Sequence, residues 1–239
     1  EKILISTGGS GGHVMPATTI YEHLKDKYEV VISTDSRGFK YLNVNDFKIF
    51  EVDTPKLHKS ILLPFSILKV FFLTLSSLVL LKKEKIKILI STGGYMSLPL
   101  CLAAKILNIK IFLLEPNMTI GRANKFFLNF CEKIICYANN IIGFPNKFQN
   151  KLVISSPIIR KKYYEKNSKK KTDNKFTIMI VGGSQGAVIF DEIIHKSIAN
   201  ISKVNQLKVI HQTNQNNIDF LKNFYLENKI ENIVFNFEK

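Results

Sequence analysis

Cysteine is scarce, with Cys101, Cys131 and Cys136 the only three in 239 residues. A disulfide-stapled scaffold needs a denser and usually even set. The spacing of Cys131 and Cys136, with no answering His or Cys pair, matches no zinc signature, so ordinary core thiols of a reducing compartment are expected. Arginine is equally rare: only Arg37, Arg122 and Arg160 occur, so nearly all of the 34 basic residues are lysine. Acidic residues number 19, which leaves a net charge of +15 and favours anionic partners. The lysines lack interleaved aromatics and no RNA-binding motif occurs, so nucleic acid is not an expected partner. No Asp-x-Asp pair is present, and neither a metal nor a cofactor is expected. With 12 Gly and 7 Pro the chain is neither collagenous nor low-complexity, and 46% apolar residues suffice for a substantial core. No charged-then-apolar leader follows Glu1, so a cytosolic address is expected.

What is present is a strict alternation of apolar runs and helical patterns. Lys2 to Ser6 reads as a strand, followed by the glycine loop from Thr7 to His13 and a helix from Pro16 to Lys27. Strands are expected at Glu29 to Thr34, Phe47 to Val52, Lys85 to Ser91, Ile109 to Leu114 and Lys133 to Tyr137, with a helix near Gly121 to Phe130. Such alternation predicts a doubly wound parallel α/β sheet over residues 1–156. Residues 157–175 have a Lys-rich linker composition. The opening pattern then recurs in 176–239: strand Phe176 to Val181, loop Gly182 to Gly186, helix Ala187 to Ile201, then strand Lys208 to His211, helix Asp219 to Asn228 and strand Asn232 to Phe237. Three strands are few for a domain of this class, so a second Rossmann-like domain that is incomplete in this chain is expected.

Ile61 to Leu81 carries a single charge, Lys69, and is long enough to cross a bilayer. Its place between two strands calls for a crossover helix instead, and Ser66, Lys69, Thr74, Ser76 and Ser77 share one arc of the helical wheel. A core helix and a helix touching a membrane surface both fit this pattern. The clusters Lys56, His58, Lys59 and Lys82, Lys83, Lys85 favour an anionic membrane surface and peripheral attachment.

Three loops with consecutive glycines each follow a strand: Gly8 to Gly12, Gly93-Gly94 and Gly182 to Gly186. Glycine lets the backbone turn tightly and approach a ligand, and the amides that open the next helix attract phosphate. Tight turns alone would also explain them. A nicotinamide-dependent oxidoreductase is the main competitor, because Asp35 stands where a ribose-binding acid would. The glycine spacing is not G-x-G-x-x-G before a helix, however, and the loop ends in His13, a group able to accept a proton from an attacking hydroxyl or to serve only in hydrogen bonding.

The runs Gly8-Gly-Ser-Gly-Gly-His-Val-Met-Pro-Ala17, Gly93-Gly-Tyr-Met-Ser97, Glu115-Pro-Asn117 with Asn124-Lys125, and Val181-Gly-Gly-Ser-Gln-Gly-Ala187 together resemble the MurG family along the whole chain. The resemblance implies a GT-B fold of two Rossmann-like domains. It implies an inverting glycosyltransferase that moves N-acetylglucosamine from UDP-N-acetylglucosamine to the 4-hydroxyl of undecaprenyl-pyrophosphoryl-N-acetylmuramyl pentapeptide, a step of peptidoglycan synthesis at the cytoplasmic face of the bacterial inner membrane. By the same resemblance His13 is the candidate base. Ser10, Gly11, Gly12, Asn117, Arg160 and Ser184 match donor-binding positions, and Gly9, Gly93, Gly94, Tyr95 and Gln185 belong to the acceptor and phosphate loops. The family's segment that grips uracil would lie beyond Lys239, so turnover by these 239 residues alone is not expected.

Overall fold

An apolar run with no polar side becomes a strand covered on both faces, which is the condition of a central parallel strand. Ile3, Leu4 and Ile5 of β1 (Lys2–Ser6) are at most 3% exposed. β1 pairs in parallel with β2 (Glu29–Thr34) on one side and β4 (Ile88–Ser91) on the other. With β3 (Ile49–Glu51), β5 (Lys110–Glu115), β6 (Lys133–Cys136) and β7 (Leu152–Ile154) they form a seven-stranded sheet of order β3-β2-β1-β4-β5-β6-β7, parallel throughout. Helix α1 (Gly11–Leu24) packs Ala17 and Ile20 against Ile3 and Ile5 on one face. Helices α2 (Leu63–Lys83), α3 (Leu98–Ile106) and α4 (Arg122–Phe127) cover the other face, where Leu81, Leu100 and Phe127 join Leu4 and Leu89. The order reverses between β1 and β4, so the loops leaving their carboxyl ends diverge and open a crevice. All three cysteines are buried and free. Burial pushes the Cys101 thiol up to about 12 and Cys136 to about 11, which fits inert core thiols.

The computed structural model describes residues 1–43, 45–55, 63–165, 175–183 and 188–236. The expectations for Lys56, His58 and Lys59, for Ser184 and Gln185, and for residues 166–174 of the linker fall outside these residues. The chain divides into two compact units, Glu1–Lys166 and Asn167–Lys239. In the first, α5 (Lys161–Glu165) lies beside α1, with Lys161 ion-paired to Asp26 and His23 Nε2 donating to the Ile159 carbonyl at 2.9 Å. In the second, β8 (Phe176–Ile180), β9 (Leu207–Gln212) and β10 (Glu231–Phe235) pair in parallel in the order β10-β9-β8. Helices α6 (Val188–Ser202) and α7 (Ile218–Glu227) pack Ile198, Leu221 and Tyr225 onto them.

One boundary differs in a way that bears on the site. The helix expected from Pro16 begins at Gly11, so Gly11, Gly12 and His13 lie in its first turn. Pro16 sits inside α1, and its missing N–H leaves only the carbonyl of Gly12, at an exposed position, without a helical donor.

Helix α2 is inverted relative to an ordinary surface helix. Thr74 and Ser77, part of the polar arc, are buried, with Thr74 Oγ1 donating to the Val70 carbonyl at 2.8 Å. Phe65, Ile67, Leu68, Phe71, Phe72 and Val79 are instead more than half exposed. The helix has the length and composition to cross a membrane, yet it is held against α3 by its small polar side and presents its apolar side outward.

Candidate active site

The loop leaving β1 turns through Gly8 (φ +147°) and Gly9 (φ +77°). A Cβ at Gly8 would stand 2.5 Å from Asp35 Oδ1, so only glycine fits there. Asp35, 2% exposed at the end of β2, accepts from the amides of Gly9 at 2.7 Å and Gly38 at 3.0 Å through Oδ1. Its Oδ2 accepts from Nε and Nη2 of Arg37, whose guanidinium lies over the Tyr95 ring. The acid that sequence spacing offers to a nucleotide ribose is therefore the anchor of the glycine loop. Asp35→Ala leaves the half-buried Gly9 amide and the Arg37 guanidinium without their carboxylate, while the Gly38 amide keeps the Asp35 main-chain carbonyl at 2.9 Å, and is expected to lower unfolding stability by about 1–3 kcal/mol in urea denaturation. A loss under about 0.5 kcal/mol would mean that the loop holds itself.

The loop leaving β4 has Gly93 at φ +90° and Gly94 at φ +84°. Thr92 just before them is fully buried, and His13 Nδ1 lies 2.7 Å from its carbonyl oxygen. A carbonyl only accepts, so Nδ1 carries the hydrogen, and in the neutral ring Nε2 is the free acceptor. The histidine is thus supplied by the first turn of α1 and oriented by β4, across the point where strand order reverses.

The loop leaving β5 is organised by Glu115, 2% exposed. Its Oε1 accepts from the Asn117 side chain at 3.0 Å, and its Oε2 accepts from the Gly121 amide at 2.7 Å and from Asn124 Nδ2 at 3.0 Å. The loops after β4 and β5, with the first turn of α1, line a cavity of about 410 Å³ whose walls include His13, Gly93, Gly94, Tyr95, Asn117 and Asn124. Of the residues expected from sequence, five line this cavity. Gly9 and Ser10 belong to the loop after β1 and Gly11 and Gly12 to the first turn of α1, none of them in its lining, and Arg160, beyond β7, reaches α1 through Met15 Sδ at 3.8 Å. Sequence reasoning assigned no role to Thr92, Glu115 or Asn124. The only signal for the last two was their place in the third motif.

In the second unit Gly183 (φ +74°) follows β8, and its carbonyl accepts from Gln212 Nε2 at 2.6 Å. Buried Asp191, in the first turn of α6, accepts from Thr213 Oγ1 at 2.6 Å and Asn217 Nδ2 at 2.7 Å. It also faces His211 Nε2 at 3.2 Å. Desolvation pushes His211 below the usual imidazole range, while Asp191 opposes that shift. This network ties the start of α6 to the end of β9.

The Glycosyltransferase family 28 N-terminal domain matches residues 3–136, and the family's C-terminal domain matches 177–239. A UDP-N-acetylglucosamine--N-acetylmuramyl-(pentapeptide) pyrophosphoryl-undecaprenol N-acetylglucosamine transferase of Pelagibacter ubique is 48% identical over 99% of this chain and 67% of its own length. The transferase of the same name from Rickettsia bellii is 35% identical, over 100% and 67%. The chain therefore spans about two thirds of these relatives. Among solved structures, Acinetobacter baumannii MurG superposes with a TM-score of 0.71 at 22% identity, covering 99% of this chain and 67% of that one. A UDP-GlcNAc 2-epimerase from Neisseria meningitidis shares the fold more distantly, with a TM-score of 0.59 at 12% identity over 100% and 73%. With more than half of the chain matched by the family's N-terminal domain and a relative at 48% identity, this chain belongs to glycosyltransferase family 28, on its MurG branch.

Proposed function

We propose that this chain serves an inverting transfer of N-acetylglucosamine from UDP-N-acetylglucosamine to the 4-hydroxyl of undecaprenyl-pyrophosphoryl-N-acetylmuramyl pentapeptide. The observation that carries this reading is the free Nε2 of His13 in a cavity walled by glycine loops at the strand-order reversal. First-turn amides of a helix have no intrahelical partner and attract phosphate. Gly11 and Gly12, in the first turn of α1, hold the acceptor's pyrophosphate beside His13. The 4-hydroxyl gives its proton to Nε2 as its oxygen bonds to the anomeric carbon of the donor. The bond from that carbon to the UDP oxygen breaks, and the electron pair leaves with UDP. The imidazolium formed keeps its Nδ1–H on the Thr92 carbonyl, which fixes the ring and favours its charge.

On the donor side the roles fall to Ser10, Asn117, Arg160 and Ser184, and helix-start amides after the Gly182 to Gly186 glycine loop are suited to the charge of a leaving diphosphate. Gly9, Gly93, Gly94, Tyr95 and Gln185 shape the loops around both substrates. The bare apolar face of α2, with Lys82, Lys83 and Lys85 at its end, docks on the anionic cytoplasmic leaflet that carries the lipid-linked acceptor. Labelled UDP-N-acetylglucosamine and the lipid-linked acceptor, given to the complete natural protein, are expected to yield labelled disaccharide-linked lipid. Donor binding without any transfer to that acceptor would overturn the reading.

A further inference from the structure

We infer that Asn124 is a further substrate-contact residue. Its Oδ1 accepts the hydrogen of the acceptor sugar's primary 6-hydroxyl and so holds the ring with its 4-hydroxyl against His13. The inference rests on the function proposed above. Asn124 is 2% exposed on α4. Its Nδ2 donates to the Leu114 carbonyl at 3.0 Å and to Glu115 Oε2 at 3.0 Å. Both of those oxygens accept only, so the amide cannot be turned around, and Oδ1 is its free end. Among the described residues Oδ1 has no partner. A buried acceptor without a donor carries a desolvation cost that a ligand can relieve.

The position of this oxygen indicates which ligand group meets it. The point where a Cβ on Gly93 would stand lies 3.2 Å from Asn124 Nδ2, 3.6 Å from its Oδ1 and 3.5 Å from His13 Cε1, so both ends of the amide border it and Nδ2 is the end already committed. A glycine keeps that place open, and both side chains line the same cavity. The cavity thus offers two neighbouring acceptors, Oδ1 and the free Nε2, and a ligand satisfying both must bring two donors. A hydroxyl has one hydrogen, so a 4-hydroxyl bonded to Nε2 leaves Oδ1 unserved. An N-acetylmuramyl unit joined through C1, with its 2-acetamido group and 3-O-lactyl ether, keeps free hydroxyls only at positions 4 and 6. The 6-hydroxyl is carried by C6, the exocyclic carbon on C5 beside C4, whereas the acetamido N–H is on C2, beyond the ether-bearing C3.

The test compares the natural acceptor with its 6-deoxy analogue on the complete natural protein. Wild type is expected to lose about tenfold in kcat/KM on the 6-deoxy acceptor, the usual effect of leaving a buried acceptor unpaired. Asn124→Ala is expected to be slower on the natural acceptor and to treat both acceptors alike within about twofold. Glu115→Gln loosens the same clasp without touching Oδ1, so it is expected to slow both reactions while keeping the ratio near tenfold. Equal use of both acceptors by wild type would overturn the inference and leave the proposed function standing, and so would a ratio that survives in Asn124→Ala. A ratio abolished equally by Glu115→Gln would assign the effect to the clasp and also overturn it. A wild type inactive on the natural acceptor would defeat the proposed function itself.

Discussion

Replacing His13 with alanine is expected to lower kcat for transfer by about 10²- to 10⁴-fold, the range typical of a positioned general base. The expectation follows from the division of labour between the two ring nitrogens. Nδ1 is committed to the Thr92 carbonyl at 2.7 Å, so the ring cannot swing and its remaining lone pair sits on Nε2. Gly94 makes room beside that atom, since even a Cβ there would lie 3.7 Å from it. The structural consequence of His13→Ala is one lost hydrogen bond at a half-buried position, about 1 kcal/mol. A urea midpoint can therefore separate the chemical effect from misfolding. His13→Asn, whose Nδ2 stands in for Nδ1 as a donor to Thr92 without supplying a base, is expected to be nearly as slow. A loss of less than about tenfold in His13→Ala would remove the histidine from the proton transfer.

The second large effect concerns the membrane. Phe71 and Phe72 are 56% and 60% exposed on the outer face of α2, and neither is part of the core. An apolar side chain gains about 1.5–3 kcal/mol on leaving water. Phe71→Ser combined with Phe72→Ser is therefore expected to weaken binding to anionic vesicles by roughly a hundredfold, at least about 3 kcal/mol. Because both rings are exposed in the folded unit, unfolding stability is expected to stay within about 0.5 kcal/mol. Exposed Lys82, Lys83 and Lys85 supply the attraction to anionic headgroups, so added salt is expected to weaken wild-type binding without abolishing it. Vesicle sedimentation that shows no difference between the double variant and wild type would contradict docking through this face.

The legibility of the fold in the sequence varies by element for physical reasons. The central strands could be read because a parallel strand buried on both faces is an unbroken apolar run, as in Lys2–Ser6. The start of α1 could not, because Gly11, Gly12 and Pro16 each argue against a helix interior. Here they are tolerated because the glycines fall in the first turn, whose amides have no intrahelical partner, and Pro16 deprives only the exposed Gly12 carbonyl of a donor. Spacing alone placed Asp35 where a ribose acid would stand, but its burial and its bonds to Gly9, Gly38 and Arg37 are tertiary facts. For α2 the helical wheel located a polar arc without revealing which side faces the body. Thr74 and Ser77 turn inward because small residues allow close approach to α3. In the site, His13 and the glycine pairs were legible from their motifs. Asn124 was not, because its role depends on which way Leu114 and Glu115 hold its amide.

The most direct test of the account is a crystal structure of the complete natural protein with an unreactive analogue of the lipid-linked acceptor. The sugar is expected in the cavity between the first turn of α1 and the loops after β4 and β5, with its 4-position within hydrogen-bond reach of His13 Nε2 and its pyrophosphate at Gly11 and Gly12. An acceptor bound elsewhere, with His13 Nε2 facing only solvent, would contradict it.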